Sequence, residues 1–403
     1  MPILSRFSAD SQPILSRFWA DSAALHPGLP HFSALLYTAG MPTLEILFIE
    51  PFYGGSHKAF ADELARYSRH NFTLFTLPAR FWKWRMRGAA LEVVRRIPSP
   101  DRFDLVVAAS MLSLADLKAL WGAACPPLIS YFHENQLNYP LSPGETRDFH
   151  YGFTDITTGL AADRIVFNSH YHKSAFFEEL PGFISCMPDT KPTWVVEELI
   201  NKSLVCHPGI AATAIETTHT PGGPPAEPPL ILWNHRWEHD KNPEGFFRVL
   251  AAAADRGLQF RLALVGEQFS RYPQVFDQAR ERLGGKIVQF GYVGERAAYY
   301  RWLRQADIVV STAYQENFGL SIAEATAAGC YPLLPRRLSY PELIPPEYHS
   351  ACLYKDEAEL ERRLGEILRA GQPAPAGLAE AMQRYSWTTL REQYDGLFGA
   401  LAH

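Results

Sequence analysis

Residues 306–324 read ADIVVSTAYQENFGLSIAE, and the strand–turn–helix pattern of this segment indicates the architecture of the second half of the chain. The apolar run predicts a strand over 306–315, and the small apolar residues after the turn predict a helix. Glu316 is then expected at the carboxyl end of the strand and Glu324 inside the helix. Open α/β sheets bind ligands at the carboxyl ends of their strands, and a helix N-terminus attracts anions.

Two carboxylates at this spacing indicate a nucleotide-sugar site. Glu316 would face the sugar that is moved, and Glu324 would accept hydrogen bonds from the hydroxyls of a ribose. The turn between them would offer its backbone to a diphosphate, through Asn317, Phe318, Gly319 and Leu320. The alternative is a solvated pair of glutamates favoured by the helix dipole.

Short apolar runs alternate with helical patterns along most of the chain. Between 44 and 210 the predicted strands are LEILFIE, FTLFTLP, FDLVVAAS, PPLISYFHEN, RIVFNS and SLVCHPGI. A second series follows after 229, with PLILWNHR, FRLALVG, KIVQFGYV, DIVVSTA and CYPLLP as strands. This alternation predicts parallel, doubly wound sheets. Since 403 residues exceed what one core usually supports, we expect an α/β fold of two Rossmann-like domains.

Changes in composition predict the boundaries of the segments. Met41 directly precedes the first credible core strand, so the residues before it are expected to be a disordered extension. The stretch TTHTPGGPPAEPP at 217–229 is rich in Pro and Gly and indicates a linker. The predicted segments are an extension at 1–40, a domain at 41–216, the linker at 217–229, a second domain at 230–385 and a C-terminal helix at 386–403.

Composition excludes several classes of protein. A net charge of −5 and a pI of about 6.3 argue against a protein that coats nucleic acid, so any polyanion must be met by a local basic patch. Five cysteines without C-x-x-C spacing indicate neither a disulfide framework nor a zinc site, and favour the reducing cytoplasm. No window approaches the roughly 18 apolar residues of a membrane span. We therefore expect no stable membrane insertion, while the oligomeric state stays open.

A loop after the first strand of the second half carries two cations. In WNHRWEHDKNP, Arg236 and Lys241 stand five residues apart before a predicted helix, so both can reach one diphosphate. Arg supplies a planar fork and Lys a mobile charge, and together they can neutralise a leaving nucleoside diphosphate. The alternative is a surface loop of mixed charge.

Two further sites are predicted at strand ends of the first half. Gly54 and Gly55 follow the strand LFIE and would let the backbone approach a ligand. His133 follows the strand ISYF, where it could bind the sugar, although a lone histidine there is more often structural. His150 does not complete a familiar zinc pattern with His133 and Glu134, so no metal is expected.

The segment 79–88, ARFWKWRMRG, interleaves cations with aromatic residues in an otherwise acidic chain. Such a composition suits phosphate contacts combined with base stacking. The alternatives are an amphipathic helix whose aromatic residues enter the core, and a membrane-surface helix. The predicted acceptor-binding residues are Arg80, Trp82, Lys83, Trp84, Arg85 and Arg87.

The segment from Glu316 to Gly329 resembles the E-x7-E signature of retaining family-4 glycosyltransferases of the GT-B fold. The resemblance implies two Rossmann-like domains facing each other across a cleft. It also assigns Glu316 to the transferred sugar, Glu324 to the ribose, and Arg236 and Lys241 to the diphosphate.

A more specific resemblance runs from about Leu44 to Tyr354. It is carried by ILFIEPFYGGSHKAF, LPARFWKWRMRGAA, YFHENQLNYP, DFHYGFTDITTGLAADRIVFNSHYHKSAF, LWNHRWEHDKNP and QENFGLSIAEA. These motifs look like those of the tRNA-queuosine mannosyltransferase family. The resemblance implies transfer of mannose from GDP-mannose, with retention, to queuosine in the anticodon loop of a tRNA, by resemblance tRNA-Asp, with no other cofactor.

Three alternatives to this function stay open. A glycosyltransferase of the same fold could act on a lipid or small-molecule acceptor. A nucleotide-sugar epimerase would use the same donor pocket without an acceptor. An RNA-binding protein without activity would bind tRNA and leave GDP-mannose untouched.

Overall fold

The computed structural model describes residues 42–141, 144, 146–215, 227–268 and 272–402, and these residues form two six-stranded parallel sheets. The first sheet has the order β2-β1-β3-β4-β5-β6. Because β1 pairs with both β2 and β3, the winding reverses there and opens a crevice at their carboxyl ends. The strands are β1 Glu45–Tyr53, β2 Asn71–Pro78, β3 Leu105–Ala109, β4 Leu128–Phe132, β5 Arg164–Phe167 and β6 Ser203–Val205.

Helices cover both faces of the first sheet. Alternate residues of β1 show this, since Leu47 and Ile49 face one core while Ile46 and Phe48 face another. Strands covered on both sides read as continuous apolar runs, which is why they could be located in the sequence. The helices of this half are α1 Gly55–Tyr67, α2 Trp82–Arg96, α3 Leu114–Trp121, α4 Phe149–Ala161, α5 His170–Ser185 and α6 Trp194–Lys202. The next helix, α7 Ala212–Ile215, packs in a core of the second half.

The second sheet has the order β12-β11-β10-β7-β8-β9. Its winding reverses between β7 and β10, so a second crevice opens at the carboxyl ends of these two strands. The strands are β7 Leu230–Trp233, β8 Arg261–Leu264, β9 Ile287–Phe290, β10 Ile308–Val310, β11 Tyr331–Pro335 and β12 Leu353–Tyr354.

Helices of the second half complete two further cores around this sheet. The long helix before β8 is capped by Asn242, whose side chain accepts a hydrogen bond from the backbone N–H of Gly245. A proline, Pro243, opens its first turn. The helices are α8 Pro243–Asp255, α9 Val275–Leu283, α10 Arg296–Gln305, α11 Leu320–Ala327, α12 Tyr340–Leu343, α13 His349–Cys352, α14 Glu357–Ala370, α15 Leu378–Ala381 and α16 Trp387–Ala402.

The last helix, α16, returns to the first half of the chain. Trp387, Tyr394 and Phe398 lie in the same core cluster as Phe48 and Phe60. The hydroxyl of Tyr394 donates to the backbone carbonyl oxygens of Cys206 at 3.1 Å and His207 at 2.8 Å. The C-terminal segment therefore ties the two halves together.

The two parallel sheets confirm the predicted α/β class. The prediction of a strand over 306–315 was wrong in its length, since β10 ends at Val310 and the following nine residues form an irregular turn. The two-residue strand β12 was not predicted, because LY is too short to show a pattern. The predicted extension at 1–40 and residues 217–226 of the predicted linker lie outside the described residues, and the domain boundaries stay predictions. No described helix has both the length and the apolar character that crossing a bilayer requires.

Candidate active site

The turn between β10 and α11 is built around Gly319. This residue adopts a left-handed backbone with φ of +95°, which an L side chain rarely tolerates. Its backbone N–H donates to Oε1 of Glu316 at 3.0 Å, and no side chain of the described residues caps the N-terminus of α11. The first N–H groups of the helix are thus not occupied by a side-chain cap, as a phosphate site requires.

Glu316 also faces Lys241. Its Oε2 lies 3.4 Å from Nζ of Lys241, and the glutamate side chain is only 17% exposed. Lys241 donates to the backbone oxygen of Gln315 at 2.7 Å and pairs with Asp240 at 3.1 Å. Burial would lower the pKa of Lys241, but the charges of Glu316 and Asp240 raise it above its usual value. The ammonium is therefore held charged at the mouth of the predicted diphosphate site.

Arg236 lies in the same loop as Lys241, and its charge acts on that lysine. Its guanidinium pairs with Glu238 at 3.2 Å. The structure thus brings both predicted cations together, each balanced by a neighbouring carboxylate. An incoming diphosphate would compete with these carboxylates for the same two cations.

Glu324 is buried on α11 and is not a solvated helix-start residue. Its Oε2 accepts a hydrogen bond from the hydroxyl of Tyr299 at 3.0 Å, and that hydroxyl accepts one from Asn234 at 3.2 Å. Burial raises the pKa of Glu324 to about 7, although Arg296 and the Tyr299 hydroxyl oppose the rise. The alternative of a solvated glutamate pair is therefore wrong.

The glycine turn after β1 is tightly packed. A Cβ on Gly54 would stand 2.5 Å from Cβ of Ala79, so only glycine fits without a shift. Gly55 has φ of +50°, and a Cβ there would lie 3.1 Å from Oε2 of Glu267 in the second half. This turn therefore approaches the second half closely, while the predicted contact of its backbone with a ligand stays a prediction.

His133 follows β4 directly and lies between the two halves. Its backbone oxygen accepts hydrogen bonds from the side-chain amides of Asn168 at 2.9 Å and Asn317 at 3.1 Å. Since Asn317 follows Glu316 in the chain, His133 and Glu316 share one cleft. Ser169 reinforces the contact by donating to the backbone oxygen of Asn317.

A buried group beside His133 was missed in the sequence. Glu50 near the end of β1 is fully buried, and its carboxylate lies between His57 at 3.2 Å and His133 at 3.5 Å. The ligand atoms of these three residues lie within 4.8 Å of one another, a separation that a metal site also shows. The two imidazole rings stack with 4.0 Å between centroids and 30° between planes, and Nδ1 of His57 and Nε2 of His133 both lie beside the carboxylate of Glu50. The absence of a metal stays a prediction.

A sequence signal for Glu50 existed. A charged residue within the apolar run LEILFIEPFY is unusual for a strand covered on both faces, and such a residue needs a buried partner. The partners, however, come from α1 and from the loop after β4, which no local pattern connects.

The basic-aromatic segment forms the start of α2. Its buried positions are Met86, Ala89, Ala90 and Val93, while Phe81 is 69% and Trp84 78% exposed. Trp82 packs against Tyr151 with 5.1 Å between ring centroids. The alternative that these aromatic side chains enter the core is therefore wrong for Phe81 and Trp84.

The cations of this segment differ in their surroundings. Arg80, Lys83 and Arg87 are exposed, whereas Arg85 is half-buried and its guanidinium donates to the backbone oxygen of Pro78 at 3.5 Å. Arg80 lies 5.8 Å from the ring centroid of Phe81, and Lys83 lies 5.5 Å from that of Trp82. The result is an exposed surface of alternating cations and rings.

Comparison with solved structures identifies the architecture. The chain is similar to sucrose-phosphate synthase from Thermosynechococcus elongatus, with a TM-score of 0.69 and 15% identity over 89% of this chain and 99% of that one. It is also similar to HepE of Anabaena in complex with UDP-glucose, with a TM-score of 0.66 and 17% identity over 89% of this chain and 100% of that one. This likeness concerns the fold, and it confirms the predicted GT-B arrangement.

Comparison of sequences identifies the family. Residues 45–210 match the family described as tRNA-queuosine alpha-mannosyltransferase N-terminal, and residues 214–385 match glycosyl transferases group 1. The chain is 38% identical over 342 residues to the tRNA-queuosine alpha-mannosyltransferase of Drosophila melanogaster, covering 80% of this chain and 87% of that protein. The predicted enzyme class is thereby confirmed as a glycosyltransferase, an enzyme that uses a nucleotide-sugar donor. The chain belongs to the tRNA-queuosine alpha-mannosyltransferase family.

Proposed function

We propose that the protein transfers mannose from GDP-mannose, with retention of configuration, to the cyclopentene diol of queuosine in a tRNA anticodon loop, with tRNA-Asp as the expected substrate. The observation that carries the proposal is the meeting of Glu316, Lys241 and His133 in one cleft between the two halves. Family membership supplies the acceptor class, and the cytoplasm is the proposed compartment.

The leaving diphosphate would be held by Arg236, Lys241 and the N-terminus of α11. Breaking the bond between the sugar C1 and the phosphate oxygen places negative charge on the departing diphosphate. Two cations already fixed in the site stabilise that charge without further rearrangement. Glu324 would hold the ribose hydroxyls through the carboxylate that Tyr299 now contacts.

The sugar would be oriented by Glu316 and His133. The acceptor hydroxyl attacks C1 from the face on which the diphosphate departs, so a new C1–O bond forms as the old one breaks. The acceptor proton passes to the departing phosphate oxygen. Alignment of the two reactants and stabilisation of charge then supply the catalysis, and no covalent intermediate or metal is required.

The exposed start of α2 would bind the tRNA. Arg80, Lys83 and Arg87 suit phosphate contacts, and the exposed ring of Trp84 suits stacking on an unpaired base. Such a local basic patch is what an acidic protein needs to bind a polyanion.

The test is incubation of the protein with a panel of nucleotide sugars and queuosine-containing tRNA, followed by mass analysis of the nucleosides. We expect one hexose to be added to queuosine when GDP-mannose is the donor, and none with the other nucleotide sugars. Matched tRNA that carries guanosine in place of queuosine should give no product. Added chelator should leave the rate unchanged.

The other outcomes separate the alternatives. Free or epimerised sugar formed without tRNA would favour an epimerase. Mannose on a lipid extract but not on tRNA would assign a lipid acceptor. Binding of tRNA without turnover of any donor would overturn the enzymatic proposal.

A further inference from the structure

Glu50 is a buried carboxylate that lies beside two stacked histidines. Its Oε1 accepts the backbone N–H of Phe52 at 2.9 Å and lies 3.2 Å from Nδ1 of His57. Its Oε2 lies 3.5 Å from Nε2 of His133, and neither atom has a hydrogen-bond partner among the described residues. A buried ionised group costs much free energy unless it is paired, so this arrangement requires a compensating positive charge.

Aromatic neighbours fix the orientation of the histidine rings. Phe60 and Tyr131 pack edge-on against His133, with ring centroids 5.1 Å and 4.8 Å away. Phe52 packs edge-on against His57 at 5.9 Å. Because both rings are held, each can present only a limited set of directions to a ligand.

The two histidines of this cluster differ in their tendency to carry a proton. Burial opposes the charge of His57, but the carboxylate of Glu50 raises the pKa of this histidine above its usual value. Burial and the charge of His57 together lower the pKa of His133 to about 4. Burial would raise the pKa of Glu50, yet His57 and His133 lower it to about 2.

Other charged groups also face these two rings. Glu134 favours the charged form of His57, and Arg236 in the second half opposes it. His172 on α5 faces His133 and is itself neutral, since burial lowers its pKa to about 3. The repulsion between His57 and Arg236 means that an anion held between them would be stabilised by both.

We propose that Glu50 is a positioning residue that keeps His57 as an imidazolium in contact with the donor diphosphate, and keeps His133 neutral with its proton on Nε2. The remaining nitrogen of His133, Nδ1, can then accept a hydrogen bond from a sugar hydroxyl. His57 becomes a third cation of the diphosphate site, contributed by the first half of the chain. The inference rests on the proposed donor site and extends it with two roles for Glu50.

The first test needs no activity. Nitrogen-detected NMR of histidine-labelled protein without substrate reports the protonation state and the tautomer of each ring. We expect His57 to titrate above an ordinary histidine and His133 to carry its proton on Nε2 at neutral pH. In Glu50→Gln, His57 should titrate at lower pH and the preference of His133 for Nε2–H should weaken. Signals are assigned with His57→Gln and His133→Gln.

The second test measures GDP binding by calorimetry between pH 6 and pH 9. In the wild type, affinity should fall as His57 loses its proton, and in Glu50→Gln this fall should move to lower pH, with about 10-fold weaker binding at pH 8. His57→Gln should bind GDP weakly at every pH, and its affinity should no longer change with pH over this range. Glu45→Gln, the same change at the exposed start of β1, should behave as the wild type.

Unchanged histidine titration together with unchanged pH dependence of binding in Glu50→Gln would overturn the inference. If that variant does not fold, His57→Gln decides, since a retained pH step would exclude the imidazolium contact. Failure of the wild type to bind GDP would overturn the proposed donor and the diphosphate contact of His57. The NMR titration would still show whether Glu50 keeps His57 protonated and His133 neutral. A wrong donor site and a wrong role for Glu50 are therefore distinguishable.

Discussion

Among single residues, Glu316 is positioned by two side-chain contacts and by its neighbour in the chain. It accepts the backbone N–H of Gly319, faces Lys241, and lies beside the residue that binds the backbone of His133. A carboxylate so placed can balance a developing positive charge on a sugar while its own position is fixed. This combination is what preorganised electrostatic catalysis requires.

Glu316→Gln should lower kcat on the order of 10²-fold, because the amide keeps the shape and the contact with Gly319 but loses the charge. Steady-state kinetics with GDP-mannose and queuosine tRNA measure the loss, and the thermal midpoint should stay close to that of the wild type. The matched control is Glu281→Gln on the exposed face of α9. A Gln variant with nearly normal kcat would remove Glu316 from the reaction.

Glu324→Gln should act on the donor and not on the chemical step. Its carboxylate would contact the ribose, which is bound similarly before and during the reaction, so KM for the donor should rise about 10-fold at an unchanged kcat. The diagnostic is therefore the separate values of kcat and of KM for the donor. A fall in kcat with an unchanged donor KM would show that Glu324 does not bind the ribose.

Among helices and strands, those features that depend on neighbouring residues in the chain could mostly be predicted from the sequence. Parallel strands buried on both faces read as apolar runs, so every described strand except β12 was located. The glycine turn with its two flanking glutamates was also located correctly, between β10 and α11. The grouping of Glu50 with His57 and His133, which only the tertiary fold brings together, was missed. Glu50 lies on β1, His57 on α1 and His133 after β4, and no spacing in the sequence connects them.

Exposure could not be predicted from composition at α2 either. Interleaved cations and rings fit an amphipathic helix and a nucleic-acid surface equally well. The helix uses Met86, Ala89, Ala90 and Val93 to face the core, which leaves Trp84 outside. The choice of face depends on how α2 packs against the sheet, and this is a tertiary property.

The exposed start of α2 gives a test of the tRNA surface. In the variant that combines Lys83→Ala with Arg87→Ala, the plot of the logarithm of the tRNA binding constant against the logarithm of salt concentration should be less steep. Its slope should fall by about 0.7 to 0.9 for each phosphate group that the variant no longer binds. The affinity for GDP should stay unchanged. Trp84→Ala should weaken binding with little effect on the slope, because stacking releases no counterions.

The same helix offers a matched control for charge. Arg95 and Arg96 near its end pair with Glu92, so their substitution by Ala should leave tRNA binding close to that of the wild type. Equal effects at both ends of α2 would indicate general attraction of a polyanion and would exclude a defined site at its start.

In the molecule as a whole, the two halves are held together away from the candidate active site as well. Glu342, on the short helix α12, accepts the backbone N–H groups of His170 and Tyr171 at the N-terminus of α5, each at 2.9 Å. Nε2 of His207 lies 2.7 Å from the same carboxylate. Arg296 pairs with Glu63 across the halves at 3.2 Å. These contacts, with α16, hold His133 beside Asn317.

Glu342→Gln should lower the free energy of unfolding at pH 7 by about 1 kcal/mol, because an amide is a weaker acceptor for a helix N-terminus than a carboxylate. Burial would raise the pKa of Glu342, but His207 and the two N–H groups hold it below its usual value. A lowered folded-state pKa contributes stability above the unfolded-state pKa, and this contribution is lost as pH falls through the folded-state value. The difference between variant and wild type should therefore shrink between pH 7 and pH 3.5 in urea titrations. Glu347→Gln, on the adjacent exposed turn, controls for the change of charge. If Glu342→Gln and the wild type differ in free energy of unfolding by the same amount at both pH values, the carboxylate of Glu342 does not hold the halves together through its charge.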